Sequence, residues 1–382
     1  MNLVIRIGDQ PACVLLDCPT EMAETVKREF WDVIQAENES VEQSPICFLF
    51  RESPSLEPSQ CLPGAIERIE DRYLGFDRNG SRYELPFGSE RTFERTLVVS
   101  PTVSVGFFVP NVILPLIHLW LMRRQRTLIH AAAVETEGAA IVLPAWGGTG
   151  KTSTLIELLR NHHCSFLADD LGVLTAEHRF YRFGNTINVL DYNLRAYPDL
   201  KRHFRPAARI AAITRSMLGT VRSAAARASP DSLIAGIAGR LTADAKALAN
   251  ARIPAGVVER DSRPQPTMGW PMRLVVMLER GATRAPETFP VSTGQASEVL
   301  AATLTQEFVK FHGAYQAYRS LVGSPSMPEL DRIQDDTRKT IGTCLQGISI
   351  VGLRLPTRWE DYEAVANRIM ELAHQLPREG AS

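Results

Sequence analysis

The feature that most constrains the fold is a glycine-rich loop between a strand-like and a helix-like stretch. This glycine loop runs from Ala145 to Thr152 as Ala-Trp-Gly-Gly-Thr-Gly-Lys-Thr. The apolar residues 139–143 before it predict a buried strand, and residues 153–160 after it have the apolar spacing of a helix. A strand, a glycine loop and a helix in this order predict an α/β core, within a chain that is α+β overall.

The same order is typical of a phosphate-binding loop. Glycines let successive backbone N–H groups turn towards an anion, and the N-terminus of the helix adds partial positive charge. In such a loop Lys151 would reach the β and γ phosphates of a nucleotide, and the Thr152 hydroxyl would bind Mg²⁺. The predicted cofactors are therefore ATP and Mg²⁺. The predicted cofactor-binding residues are Gly147, Gly148, Thr149, Gly150, Lys151, Thr152 and Ser153.

One position departs from the usual pattern of such loops. The pattern G-x-x-x-x-G-K-[ST] begins with glycine, whereas Ala145 stands there, so a positive φ at that residue would strain the backbone. The Gly-x-Gly-Lys-Thr part of the pattern is intact. An ordinary glycine-rich turn that enters a helix is the alternative interpretation.

Composition narrows the class of protein. A chain of 382 residues, 45% hydrophobic and 22% charged, is long and apolar enough for two domains with hydrophobic cores. Its 42 Lys and Arg residues nearly balance its 43 Asp and Glu residues, so the whole chain offers no basic surface for nucleic acid. The six cysteines form no C-x-x-C pair, and no apolar signal core follows the start, which together predict a cytoplasmic protein.

Two domains are expected. Residues 1–102 alternate strand candidates with one helix candidate and predict a small α+β accessory domain, which would dock a partner, oligomerise or cover the second domain. Residues 103–382 would form the domain that contains the glycine loop. Within it, residues 201–263 are rich in alanine and arginine and predict a basic helical insertion. This insertion would be either a mobile lid over a phosphoryl-transfer site or a solvated helical hairpin.

The most hydrophobic segment covers residues 103–122 and is followed by the basic Arg123-Arg-Gln-Arg126. Pro110 and Pro115 interrupt it, so only residues 112–122 are expected to form a continuous helix. Such a helix is too short for a bilayer core of about 30 Å. A buried strand and helix are therefore preferred over a membrane span.

A pair of acidic residues follows the glycine loop. Phe166-Leu-Ala168 predicts a strand, and Asp169 and Asp170 come directly after it. Two adjacent carboxylates at the end of an apolar strand are costly to bury without a purpose. A strand-end aspartate beside a phosphate-binding loop holds Mg²⁺ in many P-loop enzymes. The alternative is that one of the two carboxylates caps the next turn.

Three motifs in this order resemble the catalytic domain of HPr kinase/phosphorylase and its kinase-like relatives. They are Leu128-Ile-His130-Ala-Ala-Ala-Val134, the glycine loop and Leu167-Ala-Asp169-Asp170. The resemblance covers residues 128–174 and implies a phosphoenolpyruvate-carboxykinase-like P-loop core with a mixed sheet. The arginine- and glycine-rich signature of the bifunctional enzymes has no counterpart in residues 181–190. Leu194-Arg195-Ala-Tyr-Pro-Asp199 is instead similar to a segment of the smaller relatives found with peptide-modification systems.

The resemblance implies a role for each matching residue. Lys151 would bind the phosphates, Asp169 would take the proton from an acceptor hydroxyl, and His130 would stand beside the phosphates or the Asp pair. Thr152 and Asp170 would bind the metal ion. Arg195 is the candidate contact to phosphate or acceptor. A core histidine at a strand end and a surface arginine are the alternatives for His130 and Arg195.

The expected function is that of an ATP- and Mg²⁺-dependent kinase acting on a serine or threonine hydroxyl. Its acceptor would be a small protein or peptide, such as a co-encoded precursor peptide. Neither nucleic acid nor a membrane is an expected partner, and the family likeness is compatible with a homo-oligomer. Two alternatives stay open: a nucleotide-gated binding module without phosphotransfer, and a small-molecule kinase on the same core.

Overall fold

The chain folds into a mixed α/β structure with two large mixed sheets. The computed structural model describes residues 1–30, 32–35, 46–52, 66–69, 72–77, 79–87, 96–146, 148–190, 193–204, 250–259, 266, 268–322, 327–356 and 362–377.

The first sheet has eight strands, all from the first hundred residues. They are β1 (Leu3–Ile7), β2 (Gln10–Leu16), β3 (Val33–Gln35), β4 (Cys47–Phe50), β5 (Ile66–Ile69), β6 (Arg72–Phe76), β7 (Arg82–Glu84) and β8 (Thr96–Val99). Their order is β3-β1-β2-β4-β8-β7-β6-β5, with β4 parallel to β2 and β8. Strands β6 and β7 pair antiparallel across a turn in which Gly80 has φ 78°.

The second sheet carries the glycine loop. Its strands are β9 (Arg126–Thr136), β10 (Ala139–Pro144), β11 (Ser165–Ala168), β12 (Leu171–Thr175), β13 (Arg179–Arg182), β16 (Trp270–Arg280), β17 (Glu287–Pro290) and β18 (Ser349–Leu355), while β14 (Thr186–Leu190) and β15 (Asn250–Pro254) pair separately. The order is β10-β9-β12-β13-β16-β18-β17, and β11 pairs with β9. Because β10 also pairs with β16 in parallel, it has β9 on one side and β16 on the other.

Helices pack against both sheets. The helices are α1 (Thr20–Glu29), α2 (Val105–Met122), α3 (Lys151–Asn161), α4 (Asn193–Ala196), α5 (Thr293–Glu307), α6 (Val309–Val322), α7 (Pro328–Asp331), α8 (Ile333–Cys344) and α9 (Tyr362–His374). One apolar core packs α3 and α9 against one face of the second sheet, and another packs α5 and α8 against the opposite face.

A third apolar core joins the first sheet to α2 and α6. The aromatic side chains of α6, Phe311, Tyr315 and Tyr318, lie in this core and are almost completely buried. The rings of Tyr318 and Tyr73 meet edge to face with centroids 4.7 Å apart, and Phe87 contacts Tyr315 at 5.4 Å. Such pairs contribute about 0.5–1.5 kcal/mol beyond the area they bury.

The expectation of a strand followed by a short helix over residues 103–122 is wrong. The chain is helical from Val105 to Met122, with a π-helical turn at Val109–Ile113. Pro110 lacks an N–H and would clash with a carbonyl of a regular preceding turn, and the wider π turn accommodates it. By length and composition this helix could cross a membrane, but 67% of it is buried inside the structure. A single helix of this kind is weak evidence for a span, and its burial is that of a core helix.

The predicted insertion at residues 201–263 lies largely outside the described residues. Where its end is described, the prediction of helix is wrong, because Asn250–Pro254 forms β15 and pairs antiparallel with β14. Strand pairing overrides local helix propensity at this point, since β14 offers a free edge of backbone N–H and C=O groups.

We expect the free energy of unfolding to fall on acidification because of His118. This side chain of α2 is 1% exposed, its Nε2 lies 3.0 Å from Thr337 Oγ1, and burial, helped by His312, lowers its pKa to about 3. The unfolded chain takes up this proton below about pH 6.5, and the folded chain only below about pH 3. Stability contributed by the neutral ring is therefore lost between those values.

The measurement is urea denaturation between pH 7 and pH 4. A His118→Leu variant should have a shallower dependence of the unfolding free energy on pH, whatever its absolute stability. The control is His374→Gln at an exposed position, which should keep the wild-type slope. An unchanged slope in His118→Leu would contradict the assignment.

Candidate functional site

The glycine loop connects β10 to α3 in a conformation that only glycine adopts easily. Gly148 has φ +81° and Gly150 has φ +114°. The backbone N–H and the hydroxyl of Thr149 both donate to the carbonyl oxygen of Trp146, at 3.2 and 2.7 Å. Ala145 has no positive φ and forms a parallel bridge with Leu278 of β16. The missing first glycine of the pattern therefore costs no backbone strain.

Arg280, far away in the sequence, is hydrogen-bonded to the loop, and Tyr362 contacts Arg280 in turn. The Nε of Arg280, at the end of β16, donates to the carbonyl oxygens of Gly148 and Thr149 at 3.1 and 3.2 Å. Its Nη2 lies 3.4 Å from the hydroxyl of Tyr362, the first residue of α9. Arg280 is accordingly a positioning residue for the loop. The sequence signal for it is its place just after the apolar run Leu274-Val-Val-Met-Leu278, which is typical of a strand.

A Gly150→Ala variant is expected to be destabilised and to lose nucleotide affinity. Its φ of +114° is strained for any L side chain, and a Cβ would lie 2.7 Å from the Tyr362 hydroxyl. Strain of this kind costs about 1–3 kcal/mol. Thermal denaturation and ATP titration measure the two effects.

The matched control is Gly313→Ala in α6, where a Cβ meets no atom within 4 Å. That variant should be as stable as wild type or more stable by up to about 1 kcal/mol, because alanine is the better helix former. A Gly150→Ala protein that matched it in stability and in ATP affinity would show that the loop tolerates a side chain.

Lys151 presents a buried cation without a hydrogen bond. Its side chain is 9% exposed, and its Nζ has no hydrogen-bond partner among the described residues. The nearest anion is Asp170, whose Oδ1 lies 3.9 Å from Nζ, too far for a good hydrogen bond. A buried polar group without a partner costs about 1–3 kcal/mol or more when charged, so this position fits a ligand that supplies oxygen acceptors.

Asp169 is buried, and both oxygens of its carboxylate accept hydrogen bonds. The Thr152 hydroxyl donates to its Oδ1 and Oδ2 at 3.1 and 3.3 Å, and the backbone N–H of Asn188 donates to Oδ2 at 2.8 Å. Burial first, and the neighbouring Asp170 second, raise the pKa of Asp169 to about 7. The Asp170 side chain is 32% exposed. The adjacent carboxylates thus have different environments, which is the arrangement that separates acid and base roles in enzyme sites.

His130 lies beside the same groups. In the pairing of β9 with β12, His130 lies opposite Leu171, the residue that follows Asp170 in the chain. The Nδ1 of His130 is 3.4 Å from Glu307 Oε1. Burial, and then Lys151, lower the pKa of His130 to about 4, although Asp170 acts in the opposite direction. The imidazole is therefore neutral at pH 7. The structure brings His130 together with Lys151 and Asp170, as the interpretation of a site residue requires.

Glu307 and Arg252 join the site from elements that sequence reasoning did not associate with it. Burial and then Asp170 raise the pKa of Glu307, the last residue of α5, although Lys151 and Arg252 act in the opposite direction. Arg252 of β15 is half exposed and forms an ion pair with Glu29 of α1. Burial opposes its charge, but Glu29, Asp170 and Asp169 raise its pKa. Two cations, Lys151 and Arg252, thus interact with the carboxylate pair.

The remaining predicted residues have other surroundings. The Ser153 hydroxyl is buried and accepts a hydrogen bond from Asn193 Nδ2 at 2.8 Å, while its carbonyl accepts from the Tyr197 hydroxyl at 2.9 Å. Only the backbone N–H of Ser153 is thus suited to a phosphate. Arg195 lies on α4, but its side chain and the whole of Gly147 are outside the described residues.

The donor set fits Mg²⁺. Magnesium in phosphate-transfer sites usually takes one or two protein ligands and completes its shell with phosphates and water. Thr152, Asp169 and Asp170 provide oxygen atoms of this kind beside the loop. No larger group of three or more His, Cys, Asp or Glu side chains suited to a metal occurs in the described part of the chain.

The fold and the site together define a mixed α/β protein with a glycine loop, a buried lysine and paired carboxylates at one edge of its second sheet. Comparison of the sequence with protein-family models found no match, and comparison with curated proteins found no similar sequence.

Proposed function

We propose that this protein is a kinase that transfers the γ-phosphoryl group of ATP to a serine or threonine hydroxyl of a small protein or peptide. The observation that carries the proposal is the buried Lys151 Nζ without a hydrogen bond, 3.9 Å from Asp170. A triphosphate on the glycine loop would supply its missing acceptors. The proposal includes a phosphoenolpyruvate-carboxykinase-like P-loop core in residues 103–382, with residues 1–102 as the accessory domain.

The chain's own groups account for the transfer. The acceptor oxygen attacks the γ-phosphorus, and the bond from that phosphorus to the β–γ bridging oxygen breaks, so that ADP leaves with the bonding electrons. Asp169 takes the acceptor proton, and its pKa of about 7 suits a base at neutral pH. Lys151 neutralises charge on the β and γ phosphates. Positioning and electrostatic stabilisation supply most of the rate in such reactions.

Thr152 and Asp170 would hold Mg²⁺, and Asp169 is hydrogen-bonded to Thr152. The ion, when bound, neutralises phosphate charge. His130, neutral because of its lowered pKa, would hydrogen-bond a phosphate or the acceptor. Arg252, whose pKa is raised by both carboxylates of the pair, would stabilise charge on the transferred group, as arginines do in many phosphoryl-transfer sites.

The test is incubation with γ-labelled ATP, Mg²⁺ and serine-containing peptides, including the products of neighbouring genes. We expect a mass gain of one phosphate on a serine or threonine, detected by mass spectrometry. Label on a metabolite alone would instead indicate a small-molecule kinase. Nucleotide binding without any labelled product would indicate a nucleotide-gated binding module, and the kinase proposal would be withdrawn.

A further inference from the structure

A cavity of about 550 Å³ lies beside the glycine loop. It is bounded by the ends of β16 and β17, the first turns of α5 and the loop itself, and its lining is mostly apolar. Its lining includes Trp146 of the loop and Gly294, Gln295 and Glu298 of α5. Cavities of about 300–1,000 Å³ with an apolar lining and a few polar groups are typical of small-molecule sites.

Trp146 is the residue that connects this cavity to the loop. Its side chain is 46% exposed, which is unusual for so large an apolar group. Its backbone is held, because its carbonyl oxygen accepts both hydrogen bonds from Thr149. A fixed backbone with an exposed indole at the rim of a cavity suits stacking against a flat ring.

The position of β10 gives the direction of a bound nucleotide. His130 is on β9, and Asp169 and Asp170 follow β11, which pairs with β9. The cavity lies on the other side of β10, where β16 ends. Because the γ-phosphoryl group must face the carboxylates, the nucleoside end of the same molecule extends away from them, towards the cavity.

Helix α5 connects the two ends of this path. Glu298 lines the cavity, and Glu307 lies 3.4 Å from His130 at the catalytic end. Nine residues of α-helix separate these two glutamates, which corresponds to about 13–14 Å along the helix axis.

The polar groups of the cavity offer one donor and one acceptor to a ring edge. Gln295 Oε1 accepts from the N–H and hydroxyl of Ser292 in a capping box. Its amide N–H groups make no hydrogen bond among the described residues. Glu298 has only a loose ion pair, 3.8 Å from Arg338. Purine bases present both a ring or carbonyl acceptor and N–H donors along one edge.

We propose that this cavity binds the purine base of the nucleotide, stacked on Trp146 with its polar edge towards Gln295 and Glu298. The base site presupposes the proposed function, because the glycine loop must hold the phosphates of the same molecule. The base site would select the base of the nucleotide, which neither the loop nor the carboxylates contact.

The test compares ATP with inorganic tripolyphosphate, which has the phosphates but no base, by calorimetric titration in Mg²⁺. Trp146→Ala should raise the Kd for ATP about 5- to 150-fold, the range for loss of one base–aromatic stack, and leave the Kd for tripolyphosphate unchanged. Trp146→Phe keeps an aromatic ring and should bind ATP nearly as well as wild type.

A second variant tests the cavity without changing the loop. A Cβ at Gly294 has only Ser292 Oγ near it, at 3.9 Å, so Gly294→Phe can be accommodated and would fill the cavity. It should likewise weaken ATP and spare tripolyphosphate. Equal weakening of both ligands by Trp146→Ala, or no weakening of ATP by either variant, would overturn the base site while leaving the phosphate site intact. Wild-type protein that binds neither ligand would overturn the proposed function and the base site together.

Discussion

A Lys151→Met variant is expected to lose phosphoryl transfer, with a decrease in rate of at least about 10²–10³-fold. The ammonium group is a buried cation 3.9 Å from Asp170, so its loss leaves the charge on the β and γ phosphates without this neutralising partner. ATP affinity should fall as well, because this contact forms in the ground state. Initial rates with γ-labelled ATP and a calorimetric titration measure the two effects.

Stability separates this role from a structural one. Lys151 makes no hydrogen bond among the described residues, so Lys151→Met should be as stable as wild type in the absence of nucleotide, or more stable. ATP at 100 times its Kd should stabilise wild type by about 2.7 kcal/mol and should stabilise the variant less at the same concentration. The control is Lys339→Met, which removes an exposed lysine from a surface pair and should change neither property. Transfer that survived in Lys151→Met would remove the basis of the kinase proposal.

An Asp169→Asn variant is expected to lose about 10²–10⁴-fold in rate, the usual contribution of a general base, while it still binds ATP. In wild type, kcat/KM should rise with pH up to about 7, because only the ionised carboxylate accepts a proton and burial raises its pKa to about that value. The residual activity of Asp169→Asn should lack this dependence. A pH profile of both proteins between pH 5 and pH 9 provides the measurement.

We expect the carboxyl group of Asp169 to lower the stability of the fold as pH rises, whereas it raises kcat/KM. The folded state holds the Asp169 proton more tightly than the unfolded chain, in which the pKa is near 3.9, so stability falls as pH rises from about 4 to about 7. Asp169→Asn removes this penalty and should be more stable than wild type at pH 8, with a smaller difference at pH 5. Denaturation at both pH values measures it.

Asp170→Asn is the comparison that distinguishes base from metal ligand. It removes the more exposed carboxylate, beside Lys151, and should chiefly raise the concentration of Mg²⁺ needed for activity. If Asp170→Asn abolished the pH dependence and Asp169→Asn kept it, the two roles would have to be exchanged.

Local sequence patterns were sufficient for the parts of the site that lie close together in the chain. The strand before the glycine loop, the helix after it and the strand that precedes Asp169 are confirmed as β10, α3 and β11. Each depends on apolar spacing within about ten residues, or on glycine at positions of positive φ, and these determinants act over short range.

Local patterns failed where packing or strand pairing decided the conformation. The π turn that carries α2 past Pro110 and the strand at Asn250–Pro254 both override local preference, because burial against a core and backbone hydrogen bonds to a partner strand outweigh it. Neither partner is close in the sequence.

By itself, then, the sequence determined the glycine loop, its flanking elements and the adjacent carboxylates, because neighbouring residues dictate all three. Only the tertiary structure decided which distant side chains meet there. Arg280, Glu307 and Arg252 come from β16, α5 and β15. The pairing of β16 with β10, the packing of α5 on the sheet and the pairing of β15 with β14 bring them to the site. Periodicity sets which face of an element is buried, whereas long-range register sets what that face meets, and no short window of sequence contains that information.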